Sequence, residues 1–177
     1  MRVVAGTLGG RRLHAPAGGT RPTADRVREA LFAMLGSVEG AFALDLFAGS
    51  GALGIEAISR GAASAVFVDR DSRAVAAIGR NLADLGIEAR VHRRDALAFL
   101  RSRAASQASD FDLIFLDPPY SSADRLAGPL AELLPATVKR DARIVTESDK
   151  RVPLELGLPL VLERSYGDTR IAIHHAA

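Results

Sequence analysis

The stretch Leu44-Asp45-Leu46-Phe47-Ala48-Gly49-Ser50-Gly51-Ala52-Leu53-Gly54 constrains the fold more than any other part of the chain. Gly49, Gly51 and Gly54 match G-x-G-x-x-G between an apolar, strand-like run and a helical one. Glycine is needed there because the backbone turns tightly and can approach a ligand closely. Asp69 follows twenty residues after Gly49, at the end of the next apolar run. A carboxylate at that place can accept hydrogen bonds from both hydroxyls of a ribose.

The rest of the chain extends this pattern. Strands are expected over Ala41 to Phe47, Ala65 to Val68, Ile87 to His92, Phe111 to Leu116 and Arg143 to Glu147. Helices are expected over Ala52 to Ser59, Ser72 to Leu85, Ala96 to Arg101 and Asp124 to Leu134. Such alternation implies right-handed crossovers and a parallel sheet covered on both faces. Leu158 to Glu163 and Thr169 to His174 have no helix between them and read as a terminal hairpin with an antiparallel strand. Arg2 to Ala5 and Arg11 to His14, around Gly6, Gly9 and Gly10, read as a small hairpin flap. Pro16, Gly18, Gly19 and Pro22 make an irregular connection. A helix follows from Thr23, with Val27, Ala30, Leu31, Met34 and Leu35 on one face. The 177 residues are sufficient for one domain with a sizeable core. The expected division is a flap over 1–22, part of the same domain, and an α/β body over 23–177.

Two related glycine motifs do not fit. A phosphate-binding P-loop requires Lys-Ser/Thr after the last glycine, where this chain has Ile55-Glu56. A nucleophile elbow requires glycines two positions either side of Ser50, and those positions hold Ala48 and Ala52. Asp45 separates the remaining ligands. A carboxylate beside the turn would repel a pyrophosphate and suits a cationic adenosyl ligand, and S-adenosylmethionine carries a sulfonium and an ammonium but no phosphate.

The second motif is Asp117-Pro118-Pro119-Tyr120, at the end of the apolar run Phe111 to Leu116. The prolines fix the loop and remove backbone donors, so carbonyls and the Asp117 carboxylate remain as acceptors. Acceptors beside a flat ring suit a planar amine. Hydrogen bonds from both N–H groups to Asp117 and a Pro118 carbonyl would localise the nitrogen lone pair for attack on a methyl. Tyr120 would stack on a base taken out of its own stack.

These motifs together, Asp45-Leu-Phe-Ala-Gly-Ser-Gly, Asp69 and Asp117-Pro-Pro-Tyr, resemble the class I S-adenosylmethionine-dependent amino-methyltransferases. Thr20-Arg-Pro-Thr-Ala-Asp-Arg-Val-Arg-Glu29 narrows the resemblance, as do Val4-Ala-Gly, Gly10-Arg-Arg-Leu and Tyr166-Gly-Asp-Thr-Arg170. The whole is similar to the RsmD-type bacterial enzymes, which methylate a guanine N2 amine in 16S ribosomal RNA. The resemblance implies a Rossmann-like sandwich with a mostly parallel seven-stranded sheet and an antiparallel C-terminal hairpin. It implies that Asp45 and the loop Phe47, Ala48, Gly49, Ser50 and Gly51 hold the methionine end of the cofactor. Asp69 and Arg70 would lie at the ribose and Asp95 and Ala96 at the adenine. Asp117, Pro118, Pro119 and Tyr120 would face the guanine amine. Many relatives have Glu at position 69 and Phe at position 120.

Composition then refines the reading. The net charge of +2 divides into +5 over residues 1–28 and −3 beyond. Arg2, Arg11, Arg12, Arg21, Arg26 and Arg28 make the first part a candidate rRNA-binding arm. Arg90, Arg93 and Arg94 form a weaker basic cluster. Only Lys139 and Lys150 are lysines. Cysteine is absent, which excludes disulfides, thiolate metal sites and the cysteine nucleophile usual for methylation at pyrimidine C5. Neighbouring His174 and His175 would point to opposite faces of a strand, and no metal is expected. No apolar run is long enough to span a bilayer. A cytoplasmic location is the default that follows, and the resemblance implies a monomer acting on 16S rRNA, within the small subunit or an assembly intermediate. A DNA adenine-N6 methyltransferase could share Asp-Pro-Pro-Tyr, but little chain remains to read DNA. A dinucleotide oxidoreductase leaves that loop unexplained. A non-catalytic RNA-binding module predicts no methyl transfer.

Overall fold

The computed structural model describes residues 1–17 and 24–176. Residues 18–23, Arg21 among them, lie outside the described residues. The elements run α1 (Asp25–Leu35), β1 (Phe42–Leu46), α2 (Ala52–Ser59), β2 (Ser64–Asp69), α3 (Ser72–Leu85) and β3 (Arg90–Arg93). They continue with α4 (Ala96–Ala105), β4 (Phe111–Leu116), α5 (Ala123–Leu133), β5 (Val138–Asp149), β6 (Leu160–Tyr166) and β7 (Thr169–His175).

The seven strands form one sheet in the order β3-β2-β1-β4-β5-β7-β6. Strands β1 to β5 pair in parallel. Strand β7 runs antiparallel to both β5 and β6. This is the expected mostly parallel sheet with an antiparallel C-terminal pair. The order reverses between β1 and β4, and ligands of open α/β sheets sit beyond the strand ends at such a switch.

One apolar cluster lies on each face. The first packs Leu31 and Phe32 of α1 with Ile55, Phe67, Ile78 and Phe115. The second packs Leu44, Leu46, Phe99, Leu100, Ile114, Leu130 and Ile144. Strand β1 is buried on both sides because its residues alternate between the two clusters. Its neighbour in the core, Gly54 of α2, marks a close approach. A Cβ there would lie 2.4 Å from the Phe67 ring.

The N-terminal arm takes the expected hairpin course with little sheet pairing of its own. Arg2 and Arg12 form an isolated antiparallel bridge. Val3 N donates to the Arg11 carbonyl at 2.9 Å and Leu13 N to the Met1 carbonyl at 3.0 Å. Val3 and Leu13 of the arm are buried in the first apolar cluster, and polar side chains of α2 and α3 hold its backbone. Glu56, fully buried, accepts from Val4 N at 2.7 Å and Ala5 N at 2.9 Å. Arg60 Nε supplies the counter-charge to Glu56 at 2.7 Å. Ser59 Oγ donates to the Ala5 carbonyl and accepts from Leu8 N. Gly6 (φ +82°) passes so close that a Cβ would lie 1.8 Å from the Ser59 carbonyl oxygen. Asn81, also fully buried, exchanges two hydrogen bonds with the His14 backbone.

Candidate active site

Strands β1 and β4 are neighbours, with Leu46 level with Leu116. The glycine loop and the Asp117-Pro-Pro-Tyr loop therefore leave the sheet side by side, at the point where strand order reverses.

The glycine loop is built from strained backbone. Phe47 has φ 62°, which non-glycine residues seldom adopt, and Gly49 and Gly51 have φ 56° and 77°. Gly51 N closes the turn on the Ala48 carbonyl at 2.6 Å. Two carboxylates brace the loop from below and beside. Asp45 accepts from Gly54 N at 2.9 Å, and Asp69 accepts from Gly49 N at 2.9 Å. The other Asp69 oxygen takes Asp71 N at 2.9 Å. Burial pushes the Asp45 carboxyl up to about 8, against the Gly54 bond that lowers it, and the charge of Asp69 raises it further. Among the described residues no cationic side chain pairs with Asp45. Asn81 donates to the Ser50 carbonyl at 2.9 Å, so one side chain grips both the glycine loop and the arm.

Arg70 follows Asp69 and is exposed. Asp95 caps α4 through Ala98 N at 3.0 Å, and Ala96 is buried in the first turn. Both lie beyond the end of β3, next to the end of β2 that carries Asp69. The expected cofactor residues therefore line the exits of three adjacent strands.

In the second loop Pro118 is buried and Pro119 exposed. The Pro119 carbonyl accepts Ser122 N at 2.8 Å, closing a short 3₁₀ turn over Tyr120–Ser122. That turn leaves the Tyr120 ring 40% exposed at the mouth, with its hydroxyl 3.4 Å from Thr169 Oγ1. Partial burial, then the charges of Glu147, Asp117 and Asp149, push the Tyr120 phenol up, while the Thr169 contact lowers it. Glu147, buried at the end of β5, adds an acidic wall that sequence reasoning missed. Tyr166 packs half-buried, its hydroxyl 3.8 Å from Met34 Sδ. His174 is buried and His175 exposed, as strand alternation requires.

The arginines divide. Arg12 and Arg26 are exposed. Arg2 pairs with Asp25 at 3.3 Å and Arg11 donates to the Asp84 carbonyl at 2.9 Å, both from exposed positions. Arg28 corrects the expectation of an RNA contact. It is fully buried and donates to Asp25 and to the Arg2 carbonyl, so it fastens α1 to the arm. Its position one step off the apolar stripe concealed this. Glu56 and Asn81 were also missed, although both are polar residues at buried helix positions. Among the described residues no cluster of metal-ligating side chains occurs, and no helix is long and apolar enough to cross a membrane.

The family described as "Conserved hypothetical protein 95" matches residues 1–175. The Bacillus subtilis protein named "Putative rRNA methyltransferase YlbH" is 44% identical over 183 residues, covering 98% of each chain. Ribosomal RNA small subunit methyltransferase D of Haemophilus influenzae is 36% identical over 161 residues, covering 87% of this chain and 81% of its own. Among solved structures, a hypothetical protein of Thermus thermophilus superposes with a TM-score of 0.85 at 34% identity, covering 99% of both chains. With this full-length match in sequence and in fold, the chain belongs to the Conserved hypothetical protein 95 family and is an RsmD-type methyltransferase.

Proposed function

We propose that this chain transfers a methyl group from S-adenosylmethionine to the exocyclic N2 amine of a guanine in small-subunit ribosomal RNA. The observation that carries the reading is the adjacency of β1 and β4, which sets the glycine loop beside Asp117-Pro-Pro-Tyr. The relatives named as rRNA methyltransferases support the substrate class.

The residues fit the cofactor on one physical ground. Asp45 is a buried carboxyl with no cationic side-chain partner among the described residues, so burial favours its protonated form and a bound cation would favour the ionised one. Asp45 with Phe47, Ala48, Gly49, Ser50 and Gly51 would hold the methionine end. Asp69 and Arg70 would lie at the ribose, and Asp95 and Ala96 at the adenine. When bound, S-adenosylmethionine supplies an electrophilic methyl on its sulfonium.

This chain's own residues prepare the amine. Asp117 and the Pro118 carbonyl accept its two N–H groups and localise the nitrogen lone pair. Pro119 locks the loop, since its carbonyl is already spent on Ser122. Tyr120 offers its exposed ring face to the extruded base. The amine proton leaves to Asp117 or to water. Positioning supplies most of the rate. Arg2, Arg11, Arg12, Arg21 and Arg26 would meet RNA phosphates from the arm, which we read as part of the same domain. The proposed substrate is rRNA within the small subunit or its assembly intermediate, acted on by a cytoplasmic monomer without a metal.

The test is methyl transfer from labelled cofactor to naked 16S rRNA, isolated small subunits and duplex DNA, with the modified nucleoside identified. N2-methylguanosine in rRNA, lost on Asp117→Ala, is expected. N6-methyladenine in DNA with unmodified rRNA would overturn the proposal.

A further inference from the structure

Strand β3 forms one edge of the sheet, and α4 packs beside it. Between them lies a cleft of about 210 Å³. Arg90 and His92 line it from the strand, Arg94 from just past the strand's end, Phe99 and Arg103 from the helix, and Phe111 from the start of β4. Alternation along the strand puts Arg90 and His92 on one face, and Arg94, one residue past the strand's end, lines the same cleft. The cleft therefore gathers positive charge, and its lining includes no residue of the glycine loop or of the Asp117-Pro-Pro-Tyr loop.

Several arginines elsewhere are neutralised. Arg60 pairs with Glu56, Arg73 with Asp71, Arg151 with Asp149 and Arg170 with Glu163. In the cleft only Arg103 has a carboxylate partner, Asp110, and its guanidinium also lies 5.2 Å from the Phe111 ring centre. Among the described residues neither Arg90 nor Arg94 pairs with a carboxylate. Their crowding is felt by His92, which burial and then the charges of Arg90, Arg94 and Arg103 push down. Protection of an edge strand against pairing with other sheets requires charge but not one sign. The opposite edge, β6, carries Glu163 beside Arg164. The single sign at β3 therefore needs another explanation.

We propose that the β3–α4 cleft is a second docking site for the RNA substrate, taking a phosphodiester of the strand at a distance from the methylated base. This rests on the rRNA reading above. The floor decides between backbone and base. Phe99 and Phe111 are each only 5% exposed and present no face for stacking, whereas Arg90 and Arg94 are exposed. Recognition here is by charge and is indifferent to sequence.

The experiment measures binding of full-length protein to transcribed 16S rRNA across a potassium chloride series. Arg90→Ala/Arg94→Ala is compared with Arg140→Ala/Arg164→Ala, which removes the same charge elsewhere. The cleft variant should weaken binding by about fivefold or more and flatten the salt slope by about two. The control should change neither by half as much. Both variants should melt like wild type, since these side chains are exposed. An unchanged slope in the cleft variant, with wild type still bound and active, overturns this inference alone. Equal losses in both variants also overturn it, because net charge then suffices. Loss of inorganic phosphate binding with an intact rRNA slope overturns it in favour of a small anion site. If wild type neither binds nor methylates 16S rRNA, the functional reading falls, and this site with it.

Discussion

Asn81 Nδ2 donates to the Ser50 carbonyl at 2.9 Å across thirty-one residues of sequence. The same amide holds the His14 nitrogen and carbonyl. The strained glycine loop and the N-terminal arm thus share one anchor. Asn81→Leu should cost about 3 kcal/mol, because it leaves buried backbone groups unpaired. It should also weaken cofactor binding several-fold. Urea melts and cofactor titration of the same variant check both effects.

Glu56 binds the arm from inside the protein. Glu56→Gln replaces one acceptor oxygen with a donor that faces the Val4 or Ala5 amide. It also leaves Arg60 without its charge partner. A loss of about 2–4 kcal/mol is expected. Limited proteolysis should cut within the first 15 residues sooner than in wild type, and an unchanged cleavage rate would refute the anchoring role.

Asp45 gives the fold a pH dependence of defined sign. Its carboxyl is raised from 3.8 to about 8. The folded state therefore holds a proton that the unfolded chain releases. This contribution is fully present below the unfolded value and is lost as pH rises through about 8. Between pH 5 and 7 wild type should lose stability relative to Asp45→Asn by about 1.4 kcal/mol per unit. Parallel slopes for the two proteins in denaturant melts would contradict the burial argument.

Gly54 and Phe67 should behave as a pair. Gly54→Ala drives a methyl against the Phe67 ring at 2.4 Å and should cost about 1–3 kcal/mol. Phe67→Leu alone leaves a gap. The double variant should be less unstable than the sum of the two, which a double-mutant cycle reads directly.

Tyr120 acts through its ring in this scheme. Its hydroxyl makes only a 3.4 Å contact with Thr169, so Tyr120→Phe should leave turnover within about threefold. Tyr120→Ala should lower it by about ten- to a hundredfold, in keeping with a lost stacking contact. Cofactor affinity should be equal in both variants. Equal losses of turnover would assign the role to the hydroxyl instead.

Elements punctuated by glycine or proline were legible in the sequence. The expected bounds of α2, α3 and β4 agree with the structure because a glycine loop, Gly86 and Pro118 mark their ends. The start of β5 was not legible. Lys139, Arg140 and Asp141 look like a loop, yet the strand starts at Val138 because Val138 pairs with Phe111 ahead of a register shift, and the ladders to β4 and β7 both run from Arg143. Strand β3 begins at Arg90 rather than Ile87, since an edge strand has one neighbour to extend it. The adjacency of the two loops was not legible, because strand order is set by long-range pairing, here that of β1 with β4. Arg28, Glu56 and Asn81 were opaque for a common reason. Each is satisfied by backbone groups distant in sequence, and no local pattern encodes such a partner.

Besides the buried Val3 and Leu13, the arm is fastened through peptide groups, which every residue carries. Glu56, Ser59 and Asn81 read the path of the main chain at Val4, Ala5, Leu8 and His14 rather than its side chains. The exposed side chain of Arg12 is therefore open to exchange, and the exposed contacts of Arg2 with Asp25 and of Arg11 with Asp84 add little to docking. The arm amounts to an interchangeable head on a fixed mount, on which new nucleic-acid contacts could be grafted without redesigning the core.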